Sequence, residues 1–189
     1  MSKHILEVLF DSKPRLKILT FLYRNYNHKY TFREIVDKTQ EEASAVRREL
    51  TKLTEIGLVT SGEKKSLNPG FDYFTELRDL ILKSAPTEKQ RLIENINKLG
   101  KIRLAIISGV FLDKEINDPL AVDIFLAHDY LDRRKLAQFL KTVESEIGTE
   151  IRFATMEKEE FKYRLAMFDR FVRVLLEGPH EKLINKLGI

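Results

Sequence analysis

Polar side chains that suit nucleic-acid binding are concentrated in the segment 42–56. When Val46, Leu50 and Leu53 form the buried stripe of a helix, the 3.6-residue period turns the intervening polar residues outward. Those residues are Ser44, Arg47, Arg48, Thr51 and Lys52. Arginine pairs with guanine edges and lysine with phosphates, so this pattern predicts a helix face that can enter the major groove of DNA.

Other cations are placed to contact the phosphates on either side of such a groove. Arg33 opens the preceding helix, and Lys64 and Lys65 lie in a predicted basic turn. The alternative interpretation is that the cations of the helix only keep an exposed face solvated and pair with Glu49 and Glu55, as most surface charges do. The order of the surrounding elements favours DNA binding.

Aromatic residues precede this helix and could stack on bases. They are Tyr23, Tyr26, Tyr30 and Phe32. Aromatic residues at helical spacing pack in a core more often than they bind a ligand. We therefore assign all of them to the core.

Two polar clusters in the second half are weaker candidates. His128-Asp129 invites a general-base interpretation, but no serine nucleophile stands at a matching spacing, so we interpret it as a loop pair. Three cations open a predicted helix and could meet a phosphate, although solvation is the favoured interpretation. They are Arg133, Arg134 and Lys135.

Composition excludes several classes of protein. With 43% hydrophobic and 33% charged residues, the chain is neither collagen-like nor of low complexity. The absence of Cys removes disulfides and thiolate chemistry, and the histidines are too far apart to form a metal site. The histidines are His4, His28, His128 and His180. No cofactor and no resident metal are expected.

Charge and hydropathy indicate the class of partner and the cellular compartment. The net charge of +4 comes mainly from residues 1–85, which hold 15 Lys and Arg against 12 Asp and Glu. A mild basic excess permits a polyanionic partner. No apolar run reaches the roughly 20 residues of a membrane span, and Met1–Phe10 lacks the pattern of a signal peptide. We expect a cytoplasmic protein with no membrane partner.

The first half reads as a helical unit with one short hairpin. Pro14 suits the first turn of a helix that buries Leu16, Leu19, Phe21, Leu22 and Tyr23. Thr31 and Glu34 form a capping box for a short helix. A helix from about 42 to 56 then buries Ala43 with the stripe named above, and Gly57 ends it. A hairpin over 58–67, with a turn at 61–66, and a helix from Phe74 complete the unit.

The second half alternates strands with helices. Apolar runs at 102–107 and 122–126 predict central strands, and 151–154 predicts a third. Helices are predicted at 87–99, 132–147 and 157–168. Pro86 and a capping box from Thr87 to Gln90 place the boundary at 84–86. The fold class is therefore α+β, with domains at 1–85 and 86–189.

Three short helices followed by a basic hairpin resemble the winged-helix form of helix-turn-helix proteins. In that family the third helix enters the major groove and the wing touches the backbone or the minor groove. The resemblance covers 1–85. It implies a double-stranded DNA partner and, because such proteins often bind two-fold sites, a possible homodimer. The helix from Phe74 to Leu82 is one candidate contact between two copies.

The second half resembles the nucleotidyltransferase superfamily, in its minimal polymerase-beta-like form. The resemblance depends on the strand that ends in Ser108-Gly109, the strand with Asp123, the helix after it and the strand at 150–153. Active members hold the triphosphate with a Gly-Ser loop, and an Asp-x-Asp pair with a third carboxylate holds two metal ions. The later residues 159–165 and 169–171 also look like prokaryotic regulators that fuse the two modules.

This chain departs from the active pattern. Ser108-Gly109 is inverted, and Ala121 stands where the first aspartate should be. On the third strand Glu150 is present, but Arg152 places a positive charge near the cation position. Carboxylates that could substitute lie in a loop, at Asp113, Glu115 and Asp118. Asp123 is expected to be satisfied by the backbone or a nearby arginine.

These observations predict a transcriptional regulator with a winged helix and a catalytically degenerate nucleotidyltransferase-like domain. The second domain would sense a nucleotide or another small molecule, or mediate assembly. One alternative is an active enzyme that transfers a nucleotide to a small molecule, a nucleic acid or a protein. Another is a toxin-antitoxin-like protein whose winged helix contacts protein.

Overall fold

The computed structural model describes residues 2–83, 89–112 and 121–189 and has a mixed α+β fold, as the sequence predicts. Its residues form two units, Met1–Thr87 with Lys141–Thr149 and Glu88–Leu140 with Glu150–Ile189. The predicted boundary at 84–86 and the predicted cap at Thr87 lie outside the described residues. We call these the first and the second unit.

Helices dominate the first unit, together with one small antiparallel sheet. In chain order the elements are α1 (Ser2–Phe10), α2 (Lys13–Arg24), β1 (Tyr30–Thr31), α3 (Phe32–Thr39), α4 (Ala43–Glu55), β2 (Lys64–Lys65) and α5 (Phe74–Leu82). The sequence did not predict α1. The predicted starts of α2 and α3 are confirmed, since Ser12 caps α2 ahead of Pro14 and Thr31 forms a capping box with Glu34.

The core of the first unit lies where α2, α3 and α4 meet. All the residues predicted for the buried side of α2 are buried, and Val46, Leu50 and Leu53 form the buried stripe of α4. Ala43 was predicted on that stripe and is exposed, because it lies in the first turn of α4, ahead of the residues that reach α2. Glu49 is buried instead.

The aromatic residues do not all lie in the core. Tyr23 is buried as predicted, and Tyr30 is half-buried against the ring of Phe21, with 4.6 Å between ring centroids. Tyr26 is 41% exposed, so its assignment to the core was wrong. It follows the end of α2 and therefore no longer shares the buried face of that helix.

Lys64 and Lys65 differ from their predicted place in a turn. They form β2, which pairs antiparallel with β1, Tyr30 opposite Lys65 and Thr31 opposite Lys64. The hairpin itself closes through a bridge between Val59 and Leu67 and through backbone hydrogen bonds from Thr60 to Ser66 and from Asn68 to Leu58. Partners more than thirty residues away in the chain satisfy the backbone of β2, and local composition contains no signal for such a pairing.

The second unit contains a four-stranded mixed sheet with strand order β5-β4-β3-β6. In chain order its elements are α6 (Lys89–Asn97), β3 (Gly100–Ser108), β4 (Ile124–Leu131), α7 (Arg133–Ile147), β5 (Phe153–Glu157), α8 (Lys158–Ala166), α9 (Arg170–Glu177) and β6 (His180–Asn185). The C-terminal end of α7 is counted with the first unit. β4 runs parallel to β5, whereas β3 is antiparallel to both β4 and β6. The two apolar runs are central strands, as predicted.

Two predictions in this unit need correction, and one strand was not predicted. His128 and Asp129 are not in a loop, because β4 continues to Leu131 and pairs with both β3 and β5. β5 begins at Phe153, so Glu150 and Arg152 precede the strand. The sequence did not predict β6, whose polar residues carry no strand pattern and which forms one edge of the sheet.

Within the described residues no helix is long and apolar enough to cross a bilayer.

Gly57 and Gly148 have similar backbone angles, so replacing each with Ala tests how closely Gly148 packs against α2 in the first unit. Gly57 has φ +79° with open space at its Cβ position, whereas Gly148 has φ +81° and a Cβ there would lie 2.8 Å from the backbone nitrogen of Phe21. We expect Gly57→Ala to cost about 1 kcal/mol of unfolding free energy, from backbone strain alone. Gly148→Ala should cost about 3 kcal/mol, because α2 must also shift.

Urea unfolding followed by circular dichroism measures both values. Equal losses in the two variants would contradict the close approach of Gly148 to α2.

Candidate nucleic-acid interface

The exposed face of α4 contains all the polar residues that the sequence predicted there. Ser44, Arg47, Arg48, Thr51 and Lys52 are exposed. The side chain of Arg48 is 65% exposed and that of Lys52 is 53% exposed. Because the opposite stripe of α4 is buried in the core, these side chains project from a rigidly anchored helix, which is what groove insertion requires.

Arg47 is oriented by an aromatic ring. Its guanidinium carbon lies 4.6 Å from the centroid of Phe32, a cation–π contact that limits the freedom of the side chain. Phe32 is half-buried and packs against the core, so the sequence prediction missed its second role as a platform for Arg47. The position of Phe32 directly after the cap of α3 does not predict this contact, because Phe32 and Arg47 meet only through the packing of α3 beside α4.

A groove of about 440 Å³ runs between α4 and the β2 hairpin. Its lining includes Phe32, Arg47, Thr51, Glu55, Glu63 and Lys65. The structure thus brings together three residues that the sequence predicted as DNA contacts, Arg47, Thr51 and Lys65. The two glutamates give the groove a mixed charge.

The two predicted contacts that lie neither on α4 nor in this groove are Lys64 and Arg33, in the same unit. The pKa of Glu34 is lowered chiefly by the hydrogen bonds that it accepts from the backbone and the hydroxyl of Thr31. Lys64, exposed on β2, contributes a smaller lowering through its charge. Arg33 is exposed at the start of α3.

The sequence predicted Glu49 only as a partner of surface cations and did not predict that it is buried and paired with Arg15. Its side chain is 3% exposed and accepts a 2.8 Å hydrogen bond from Arg15 Nε on α2. Its Oε1 also lies 3.7 Å from Arg48 Nε and 3.9 Å from Lys52 Nζ. The ion pairs of the alternative interpretation therefore exist for Arg48 and Lys52, but at distances longer than a hydrogen bond.

Electrostatics keep Glu49 ionised. Burial alone would raise its pKa, but hydrogen bonding and charge from Arg15, the charge of Lys52 and a hydrogen bond from Ser12 together hold the pKa below its usual value. A signal for this residue was present in the sequence, because position 49 falls between Val46 and Leu50 on the buried side of a 3.6-residue period.

In the second unit, Asp123 is surrounded by donors. It is 2% exposed, and its carboxylate accepts hydrogen bonds from the backbone N–H groups of Val110 and Arg152, at 3.2 Å and 2.9 Å. The Arg152 guanidinium adds two more, at 3.2 Å and 3.3 Å. These contacts are those of a carboxylate satisfied by the backbone and an arginine. Each carboxylate oxygen of Asp123 accepts one hydrogen bond from the backbone and one from the Arg152 guanidinium.

The Ser108-Gly109 turn is built around the same carboxylate. The Ser108 hydroxyl is buried and donates to the carbonyl of Val122. Gly109 has φ +52°, and a Cβ there would collide with Asp123 Oδ1. The turn is thus held closed by internal contacts, and Ser108 is not available to a ligand in this arrangement.

Other residues predicted near this turn do not assemble a cation site. Ala121 is buried, and Glu150 is exposed ahead of β5. The loop carboxylates Asp113, Glu115 and Asp118 lie outside the described residues. Within residues 2–83, 89–112 and 121–189 there is no group of His, Asp and Glu side chains that could hold a metal ion.

In the two weaker candidate clusters, Asp129 and Asp132 have hydrogen-bond partners, whereas the buried Nδ1 of His128 has none among the described residues. Asp129 accepts a 2.7 Å hydrogen bond from Arg103 Nε, which lowers the pKa of the aspartate. Burial lowers the pKa of His128. At the start of α7, the side chain of Asp132 accepts from the backbone N–H groups of residues 134 and 135. The exposed cations there, Arg133, Arg134 and Lys135, are solvated.

Comparison with protein-family models, curated proteins and solved structures yields no match to this chain. Its function must therefore be inferred from the geometry of its own residues.

Replacement of Asp123 tests its structural role. In Asp123→Asn the amide nitrogen must face N–H donors whichever way the side chain turns, so we expect a loss of about 2 kcal/mol of unfolding free energy. Asp129→Asn is the matched control, because the Asp129 side chain is 30% exposed and that of its partner Arg103 41%, so solvent screens the pair far more than it screens the buried Asp123. Urea unfolding of both variants measures the difference. An Asp123→Asn protein as stable as Asp129→Asn would show that the contacts of Asp123 are not required by the fold.

Proposed function

We propose that the first unit is a winged-helix DNA-binding module of a transcriptional regulator. In this proposal α4 is the recognition helix and the hairpin that contains β2 is the wing. The observation that carries it is the exposed face of α4, where Arg47, Arg48 and Lys52 project from a helix whose other side is anchored in the core. A rigid basic helix face is the feature that reads a major groove.

The arrangement of neighbouring elements supports this proposal. α3 precedes α4 with only a short connection, as the first helix of a helix-turn-helix does, and the basic strand β2 lies beyond α4. Lys65 lines the groove beside α4, and Lys64 is exposed on the same strand. Cations on both sides of a recognition helix can contact the phosphates that border the base edges it reads.

Selection from a randomised duplex library with the purified full chain is the direct test. Enrichment of a defined sequence, retained at about 0.15 M salt, would support the proposal. A two-fold motif would further indicate that the protein binds as a homodimer. If no duplex is enriched, the proposal fails and a protein partner for α4 becomes the better hypothesis.

Arg47 and Arg48 are expected to make the base contacts. The double variant Arg47→Ala/Arg48→Ala should bind the selected sequence no better than random DNA, since removal of each bidentate pairing costs about 1–3 kcal/mol. Both side chains are exposed, so the unfolding transition should stay close to that of the wild type. Fluorescence anisotropy with selected and random duplexes measures the two affinities, and wild-type preference in the variant would contradict the assignment.

Lys64 and Lys65 are expected to act differently, by neutralising phosphates. Their replacement by Ala should weaken binding to every sequence and reduce the dependence of affinity on salt, by a slope of about 0.9 for each phosphate that is no longer neutralised. The readout is anisotropy over a series of salt concentrations. A loss of affinity confined to one base position would show that the hairpin reads bases.

For the second unit we propose a degenerate nucleotidyltransferase-like domain that senses a ligand or mediates assembly. The order strand, small-residue turn, strand, helix and strand agrees with the resemblance drawn from the sequence. The engagement of Asp123 by Arg152, and the alanine at position 121, argue against a two-metal mechanism, which needs adjacent carboxylates to bridge both ions.

We expect the protein to transfer no nucleotide. The assay incubates wild-type protein with each labelled nucleoside triphosphate, magnesium or manganese, and acceptors that include the protein itself. Neither covalent label nor released pyrophosphate should form. Metal-dependent transfer would overturn the degenerate assignment and favour the enzyme hypothesis.

A further inference from the structure

Glu49 joins the core of the first unit to the exposed face of α4. One carboxylate oxygen binds Arg15 Nε at 2.8 Å, and the other faces Arg48 and Lys52. Arg15 itself is fixed from a second direction, because its Nη1 donates a 3.0 Å hydrogen bond to the carbonyl of Phe10 at the end of α1. The carboxylate is therefore held by the scaffold on one side and turned toward two exposed cations on the other.

The distances on the exposed side have a specific consequence. At 3.7 Å and 3.9 Å, Arg48 and Lys52 are attracted to Glu49 Oε1 without a hydrogen bond that would occupy their donors. More than half of each side chain is exposed to solvent. The attraction biases where the two cations lie, while their N–H groups stay available to another acceptor. An exposed pair of this kind is weak by itself, but this carboxylate is buried and cannot move away.

We propose that Glu49 is a positioning residue for DNA recognition: anchored by Arg15, it holds Arg48 and Lys52 in the arrangement that reads the target sequence. This inference rests on the proposed DNA-binding function. Its cost is that a negative charge beneath the face weakens attraction to all phosphates, so Glu49 exchanges general affinity for discrimination between sequences.

Glu49→Gln tests the inference with little change of shape. The glutamine oxygen can still accept from Arg15, but the charge that biases Arg48 and Lys52 is removed. We expect the ratio of affinities for selected and scrambled duplexes to fall about tenfold, with affinity for scrambled DNA unchanged or higher. Glu42→Gln is the matched control, because Glu42 is an exposed residue that caps α4 without a side-chain hydrogen bond. This control changes the net charge equally and should leave the ratio at its wild-type value.

A second variant approaches the same ion pair from the other side. In Arg15→Gln the ionised Glu49 is deprived of its close partner, so it should draw Arg48 and Lys52 into direct ion pairs. We expect affinity for both duplexes to fall at least tenfold. Lys13→Gln, an exposed change of the same charge on the same helix, should have a much smaller effect.

Fluorescence anisotropy with both duplexes measures all five proteins, and thermal unfolding identifies any variant that is not folded at the assay temperature. If Glu49→Gln does not fold, Arg15→Gln against Lys13→Gln decides. A merely structural Glu49 would lower the amount of active protein without moving the ratio. An unchanged ratio in folded Glu49→Gln, or equal effects of Arg15→Gln and Lys13→Gln, overturns the positioning role and leaves the proposed function intact. If the wild type binds neither duplex, the proposed function and this inference both fail.

Discussion

A carboxylate removed from water costs several kcal/mol unless it is paired and hydrogen-bonded, and each unit of this protein is organised around such a group. In the first unit the negative charge of Glu49 is balanced by a hydrogen-bonded ion pair with Arg15, which links α4 to α2. In the second unit Asp123 is neutralised by Arg152 and by backbone donors from two segments, which ties the turn after β3 to the residues before β5. Both pairs lie at the places where function is proposed.

The two carboxylates act on their surroundings in opposite ways. Glu49 has a second oxygen that faces exposed cations, so its charge reaches the surface where a partner would bind. The charge of Asp123 is used entirely inside the fold, since both oxygens accept from the backbone and from the same guanidinium. The guanidinium of Arg152 places a positive charge beside Asp123, where it balances the carboxylate. A buried carboxylate paired with arginine thus underlies the proposed recognition in the first unit and the proposed non-catalytic role of the second.

The groove beside α4 shows how helix and hairpin depend on each other. Hydrogen bonds between Thr60 and Ser66 and between Leu58 and Asn68 hold the base of the hairpin, while β2 near its tip pairs with β1. Thr31, the last residue of β1, is also the N-cap residue of α3. The cations of the hairpin, the ring under Arg47 and the start of α3 are thus parts of one connected structure, which explains why basic residues from distant parts of the sequence meet near one helix face.

Periodicity and helix caps in the sequence were enough to predict helices α2 to α5 of the first unit and the two central strands of the second. They also predicted the buried stripe of α4 and the polar residues on its opposite face. Such features depend on local spacing, and local spacing is written in the chain. Tertiary structure decided the rest. The pairing of β2 with β1, the strand β6 and the extension of β4 through His128 and Asp129 depend on hydrogen bonds with distant residues, as does the engagement of Asp123 by Arg152. Glu49 can be buried as a carboxylate because α2 brings Arg15 next to it. No single segment of the sequence predicts this ion pair, since its two residues lie on different helices that meet only in the folded unit.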